Sequence, residues 1–195
     1  MAIKARIGII GKGNVGSALE RGLRRVEYDV RSAGNDTRAV REVGTWAQII
    51  LLAVPYSGVD AAVRELGDTL HDKIVIDVSN PLTTDMQLAI GFRTSSAEEL
   101  HKRAPRARVV KALNTVFADH METGHTGQHQ LSTFVASDDA EARRQVVKIA
   151  ADLGFDAVDA GPLKNARWLE SLAFLNIQLG LVLGMGRSIG FALVH

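Results

Sequence analysis

The stretch Ile7-Gly-Ile-Ile-Gly-Lys-Gly-Asn-Val-Gly16 constrains the fold of this chain more than any other. An apolar run (Ile7, Ile9, Ile10) leads directly into Gly11, Gly13 and Gly16, spaced G-x-G-x-x-G. Val15, Leu19, Leu23 and Val26 then recur at helical intervals. A strand, a tight turn and a helix start in that order form the dinucleotide-binding fingerprint. Gly11 permits the turn, Gly13 lets a pyrophosphate approach the backbone, and Gly16 lets the helix pack closely on the strand. Amides at the helix start, helped by the helix dipole, would hold the phosphates. The expected contacts are Gly11, Lys12, Gly13, Asn14, Val15 and Gly16.

Further apolar runs repeat the alternation of strand and helix. Residues 5–10, 28–33, 48–54, 73–78, 108–113, 133–136 and 155–158 read as strands. Residues 14–26, 37–43, 57–70, 95–103 and 138–153 read as helices, and 118–130 as a loop. The uninterrupted runs Q-I-I-L-L-A-V and K-I-V-I-D-V suit parallel strands buried on both faces. From residue 163 to 194 the pattern is helical and strongly apolar. The expectation is an α/β fold, a doubly wound Rossmann-type parallel sheet with a C-terminal helical extension. Residues 1–162 would form the dinucleotide-binding domain. Residues 163–195 would complete the active-site cleft and form a dimer interface.

Composition removes several function classes. The 195 residues carry 23 basic and 22 acidic side chains, a net charge of +1, which gives no support to nucleic-acid or membrane-surface binding. With no cysteine, disulfides, iron–sulfur clusters and cysteine-based zinc sites are excluded. The N-terminal apolar residues belong to the first strand rather than to a leader, and a cytoplasmic location is expected. His120, His125 and His129 share one polar loop but lack a carboxylate pattern, so no metal site is expected. Leu172 to Gly186 carries no charge yet is too short to span a bilayer. It should pack on the sheet or on a second subunit, hence an expected homodimer. Gly180, Gly184, Gly186 and Gly190 offer surfaces for close backbone approach. Glu170 needs a partner if buried, with Arg167 and Lys164 in reach along the helix.

Ligands of such sheets lie beyond the carboxyl ends of the strands. Here those ends lead into Gly11 to Val15, Ala33 to Arg38, Ala53 to Ser57, Ser79 to Leu82 and Leu113 to Phe117. Asp36 follows Gly16 by the interval expected of an acid that grips the ribose 2′-OH of NAD, and equally suits a helix cap. Arg38 or Arg31 could instead pair with the 2′-phosphate of NADP. Spacing leaves both choices open.

More specific blocks accompany the fingerprint: Leu51-Leu-Ala-Val-Pro55, Asp77-Val-Ser-Asn-Pro81, Lys111-Ala-Leu-Asn-Thr115 and Asp159-Ala-Gly-Pro-Leu163. Asn165-Ala-Arg167, Glu170-Ser-Leu172 and Gly184-Met-Gly186 follow. Over essentially the whole chain these resemble the coenzyme F420-dependent NADP oxidoreductase family. The same pattern occurs in the cytosolic reductase domain of transmembrane metalloreductases. The resemblance implies a small, usually dimeric Rossmann enzyme that binds NADP(H). It would pass hydride directly between the nicotinamide and a flavin or 5-deazaflavin such as F420, with no catalytic acid or base. Gly13, Asn14 and Val15 would meet the pyrophosphate. Gly34, Asn35, Asp36 and Arg38 would lie at the adenosine end. Pro55, Asn80 and the segment Ala112, Leu113, Asn114 and Thr115 would surround the nicotinamide ribose and ring, and Ala53, Val54 and Pro81 would also be among the cofactor-binding residues. The C-terminal helix would line the flavin side.

The chain departs from that pattern at two places. Members that prefer NADP place Ser-Arg or Thr-Arg where this chain has Gly34-Asn35. Deazaflavin-using members often have His where Asn114 stands. NAD therefore remains the alternative cofactor. The alternative functions are an NAD(P)-binding sensor without catalysis and a reductase of small carbonyl or imine substrates.

Overall fold

The structure, a computed structural model, describes residues 4–194. In chain order the elements are β1 (Arg6–Ile10), α1 (Asn14–Arg25), β2 (Asp29–Ala33), α2 (Thr37–Trp46), β3 (Ile49–Leu52), α3 (Val59–Leu66), β4 (Ile74–Asp77), α4 (Ser96–Arg103), β5 (Arg108–Lys111), β6 (His125–Thr126), β7 (His129–Gln130), β8 (Ser132–Val135), α5 (Ala140–Leu153), β9 (Asp156–Asp159) and α6 (Ala166–Ile177).

Strands β1 to β5 pair in parallel in the order β2-β1-β3-β4-β5. Ile7 lies opposite Val30 and Ile49, Ile49 opposite Ile74, and Ile76 opposite Val110. Side chains alternate across a strand, so each apolar run feeds two cores. Ile7, Ile9, Leu51 and Ile76 face the layer holding α1 and α5. Ile10, Ile50, Leu52 and Val75 face the layer of α2, α3 and α4. The doubly wound expectation is met. The strand order reverses between β1 and β3, which opens a crevice at their carboxyl ends.

Three sequence expectations need correction. The sixth and seventh strands, β8 and β9, do not extend the parallel ladder. They form their own two-stranded parallel sheet. It joins β5 through a single antiparallel pair, Lys111 and Ala136, each amide donating to the other's carbonyl at 2.9 Å. The loop expected over 118–130 contains a 3₁₀ turn at Ala118–His120 and the hairpin β6–β7. Gly127 turns that hairpin at φ +56°.

The third correction concerns the C-terminus. The helix expected to run to Val194 ends far earlier: α6 passes into one π-helical stretch, Gln178–Val182, and the described residues beyond it are irregular. Gly184 (φ +75°) and Gly186 (φ +80°) adopt the left-handed backbone that stops helices. The amides of Met185 and Gly186 fold back onto the carbonyls of Leu179 and Gly180. Of the close approaches foreseen, those at Gly180 and Gly190 are made by the chain itself, whereas a Cβ on Gly184 or Gly186 would meet nothing within 4 Å. A Cβ on Gly180 would sit 2.7 Å from the Phe117 ring, and one on Gly190 2.9 Å from the Leu131 side chain.

Helix α5 begins on a double contact of Asp139. Its carboxylate accepts from the Ala142 amide at 2.8 Å and from the Arg108 guanidinium at 2.6 and 3.0 Å. Hydrogen bonding from Arg108, then from the Ala142 amide, holds this carboxyl well below the usual carboxylate range. Its stabilising effect is therefore complete above the unfolded carboxylate pKa and fades as pH falls through the lower folded value. Asp139→Ala should cost about 1–2 kcal/mol in urea unfolding at neutral pH, the range for a lost helix cap. The difference from wild type should shrink in strong acid.

Candidate functional site

At the end of β1 the backbone of Gly11 turns at φ +114°, and its amide donates to Ala33 O at 2.8 Å. A Cβ there would lie 2.2 Å from the Ala53 carbonyl oxygen. A Cβ on Gly16 would lie 2.0 Å from Gly11 O, so α1 seats directly on the turn. Gly13 differs. It is extended (φ −73°, ψ −171°), and a Cβ on it would meet nothing within 4 Å. No side chain caps α1. The first-turn amides have no intrahelical acceptors, and Gly13, Asn14 and Val15 border an open cavity. That cradle fits a pyrophosphate.

Two cavities run from this point along the carboxyl ends of the strands. One of about 630 Å³ lies between the start of α1 and the loops after β3 and β4, against Gly13, Val15, Pro55, Ser57 and Thr83. The other, of about 330 Å³, continues over the loop after β5 to α6 and is lined by Asn114, Phe117, Ala173, Asn176 and Arg187. Asn14, Val15 and Asn80 border both, so the two are halves of one crevice.

Asn80 and Asn114 form its waist. Asn80 Nδ2 donates to Asn114 O at 2.9 Å, and Asn114 Nδ2 donates to Asn80 Oδ1 at 3.0 Å and to Leu169 O at 3.1 Å. Asn114 Oδ1 is left buried without a partner, as is Thr115 Oγ1. Unpaired buried acceptors are uncommon, and here they border the smaller cavity. Leu113, between β5 and this waist, holds φ +62°, a left-handed backbone that a non-glycine residue adopts only under constraint.

Other residues singled out by sequence fall in three places. Ala53, Val54, Pro55 and Asn80 line the larger cavity, and Asn114 and Thr115 the smaller one. Ala112 and Leu113 lie beneath, fully buried, and Pro81 is buried as well. Gly34, Asn35, Asp36 and Arg38 border neither cavity and sit at the far end, after β2. Asp36 is the cap of α2, accepting from the Ala39 amide at 2.7 Å. Arg38 pairs with Glu42 at 2.8 Å on the solvent face of α2, and Arg31 stacks 4.4 Å from the Trp46 ring. Lys12 reaches toward Gly34, its Cδ 3.7 Å from where a Cβ would stand.

The histidine loop is not drawn together around a point. His120 Nε2 lies 2.9 Å from Arg187 O and His125 Nδ1 2.8 Å from Thr123 O. Among the described residues no group of three or more His, Cys, Asp or Glu is placed to hold a metal ion. No helix among them is long and apolar enough to cross a membrane.

Glu170 is buried, but not with the expected partners. Arg167 pairs with Glu98 at 2.6 Å. Glu170 instead meets Lys111 at 2.9 Å and the amide of Ser96 at 2.9 Å. Asp77 joins them, 2.9 Å from Lys111 Nζ. Burial alone would raise the Asp77 pKa. The Lys111 ammonium and hydrogen bonds from Ser79 and Ser96 outweigh it and hold the carboxyl below its ordinary range. Burial alone would lower Lys111, and Asp77 and Glu170 hold it above its ordinary value. Sequence reading missed this cluster. Its signal was the position of Asp77 and Lys111 at the head of D-V-S-N-P and K-A-L-N-T, inside otherwise apolar strands.

Residues 6–81 match the family described as NADP oxidoreductase, coenzyme F420-dependent. The human metalloreductase STEAP2 is 28% identical over 184 residues, which is 88% of this chain and 36% of that protein. The chain spans about a third of the length of the STEAP2 metalloreductases it matches. The F420-dependent NADP reductase of Methanocaldococcus jannaschii is 25% identical over 168 residues, 81% of this chain and 71% of that one. Among solved structures, a candidate F420-dependent NADP-reductase from Arthrobacter sp. FB24 superposes with a TM-score of 0.89 at 25% identity. It covers 98% of this chain and 100% of that one.

Proposed function

We propose that the chain is a member of the coenzyme F420-dependent NADP oxidoreductase family, whose model matches residues 6–81, and that it transfers hydride directly between NADP(H) and a flavin or 5-deazaflavin. The observation that carries this reading is the crevice of two halves that meet at Asn14, Val15 and Asn80. A dinucleotide anchored at the start of α1 would run along the larger half and bring its ring to the waist. The smaller half, with Phe117, Ala173 and Ile177 on its walls, would take a second flat ring against it. A bound nicotinamide supplies a hydride with its electron pair, which needs no proton-transferring side chain. The chain's own contribution is placement. Gly13 and the α1 amides hold the phosphates, the Asn80–Asn114 pair frames the reacting end, and apolar walls exclude water. Residues 163–194 serve as the extension that closes this second half.

The same extension supports a homodimer. Trp168, Leu175, Leu181, Val182 and Leu183 are each at least half exposed along α6 and the π stretch. Light scattering should return twice the chain mass if they pack on a second copy.

The direct test mixes the protein with NADPH and either FMN, FAD or F420 while absorbance at 340 nm is followed. Oxidation with at least one acceptor is the expected result. NADPH binding without oxidation by any of them would favour a non-catalytic dinucleotide sensor. For the adenosine end, Arg38 is two residues beyond the α2 cap, and its exposed pair with Glu42 is readily exchanged. Arg38→Ala should weaken NADPH in calorimetry by about tenfold or more, as for a lost charge-assisted hydrogen bond, and leave NADH nearly unchanged. Equal loss for both nucleotides rejects a 2′-phosphate role.

A further inference from the structure

Below the crevice lies a buried cluster of polar side chains that direct hydride transfer does not use. Lys111 ends β5, Asp77 ends β4, Ser96 opens α4 and Glu170 sits on the inner face of α6. None of the four is more than 2% exposed. Lys111 Nζ donates to Asp77 Oδ2 at 2.9 Å, Ser79 O at 2.6 Å and Ser96 Oγ at 2.8 Å, and lies 2.9 Å from Glu170 Oε1. The Ser96 amide donates to both Glu170 oxygens, at 2.9 and 3.1 Å, and Ser96 Oγ lies 2.7 Å from each of Asp77 Oδ2 and Glu170 Oε1. One ammonium and two carboxylates have been removed from water here. Apolar residues of the same volume would fill the space without that desolvation cost. What charge pairs add in return is directionality.

The directions all lead to the waist of the crevice. Ser79 O, held by Lys111, belongs to the peptide that carries Asn80. Ala112 to Asn114 follow Lys111 directly. Leu169, whose carbonyl accepts from Asn114 Nδ2, immediately precedes Glu170. One buried side chain thus ties together the loop after β4, the loop after β5, the start of α4 and the body of α6. The start of α1 is not part of this network.

We propose that Lys111, with Asp77, Ser96 and Glu170, is a positioning clip. It fixes the Asn80–Asn114 pair, and through it the nicotinamide end of a bound dinucleotide, while the phosphate end is set independently by α1. The proposal rests on the dinucleotide reading above.

Calorimetry on the full chain separates the two ends. NADPH has the nicotinamide, and 2′-phospho-ADP-ribose lacks it. Lys111→Met should lower NADPH affinity by about tenfold, the scale of a hydrogen bond to a charged group. It should also reduce the gain in reduced-nicotinamide fluorescence on binding. Affinity for 2′-phospho-ADP-ribose should stay within about twofold of wild type, because no charge–dipole contact to the phosphates changes. Ser96→Ala removes one hydroxyl and no charge. It should show the same pattern at about threefold, and it carries the comparison if Lys111→Met does not fold. Parallel loss of both nucleotides, as general loosening of the fold would give, overturns the clip. So does unchanged NADPH binding and fluorescence. Wild-type protein that binds neither nucleotide overturns the dinucleotide reading itself, and the clip with it.

Discussion

Gly13→Val should leave the melting temperature of the chain unchanged and weaken NADPH binding by about a hundredfold or more, equivalent to about 2.7 kcal/mol. The two halves of this expectation have separate causes. Gly13 has an extended backbone that any residue can adopt, and the space in front of it contains no protein atom within 4 Å of a Cβ. A valine there therefore has a Cβ that meets no protein atom. Yet it would occupy the volume that a diphosphate needs to reach the uncapped amides of α1. Thermal melting and calorimetry on one preparation check both halves. Undiminished binding would mean that the phosphates are held somewhere other than the start of α1.

Gly11→Ala should show the opposite profile, a loss of about 3 kcal/mol or more of folding stability, the scale of severe strain at a special backbone position. For a domain of this size that corresponds to a fall of about 6–12 °C in melting temperature. Gly11 turns at φ +114°, and the added methyl would lie 2.2 Å from the carbonyl oxygen of Ala53. The obstruction is backbone on a buried parallel strand's exit, which cannot swing aside as a side chain could. The β1 and β3 ends would have to separate, and the reversal point of the sheet would open with them. Urea unfolding measures the effect. A cost below about 1 kcal/mol, that of an ordinary substitution, would show that the turn relaxes freely.

These two glycines stand two positions apart in one motif, and their spacing alone does not distinguish their roles. The fingerprint was legible because a strand, a turn and a helix must succeed one another within a few residues, so local pattern and local structure coincide. The five parallel strands were legible for a related reason. Ile49 to Leu52 and Ile74 to Asp77 are buried on both faces and lack polar alternation. Cap chemistry was readable too: Ser95 accepts from the Glu98 amide and opens α4 as its neighbouring residues suggest. Asp36 could be read as a ribose ligand or as a cap. It caps α2, a fact that depends on where the Ala39 amide lies and not on its distance from Gly16.

The far end of the chain was misread for the converse reason. Apolar periodicity continues past residue 182, but the carbonyls of Leu179 and Gly180 accept from Met185 and Gly186, and glycines at positive φ make that return inexpensive. A helical wheel cannot show which glycine ends a helix. It also could not show that Glu170 would turn away from Arg167, its neighbour along α6, to a lysine from β5.

The amino-acid order by itself determined the parallel α/β architecture, the turn at Gly11 to Gly16 and the segments that reach the carboxyl edge of the sheet. Each follows from contacts between residues close in sequence or from the period of an apolar run. Only the tertiary structure decided that Asn80 and Asn114 face each other, that two cavities share one wall, and that Lys111 is buried between Asp77 and Glu170. Those groups lie 34 to 93 residues apart along the chain. Their meeting depends on strand register and helix docking, which no local pattern encodes.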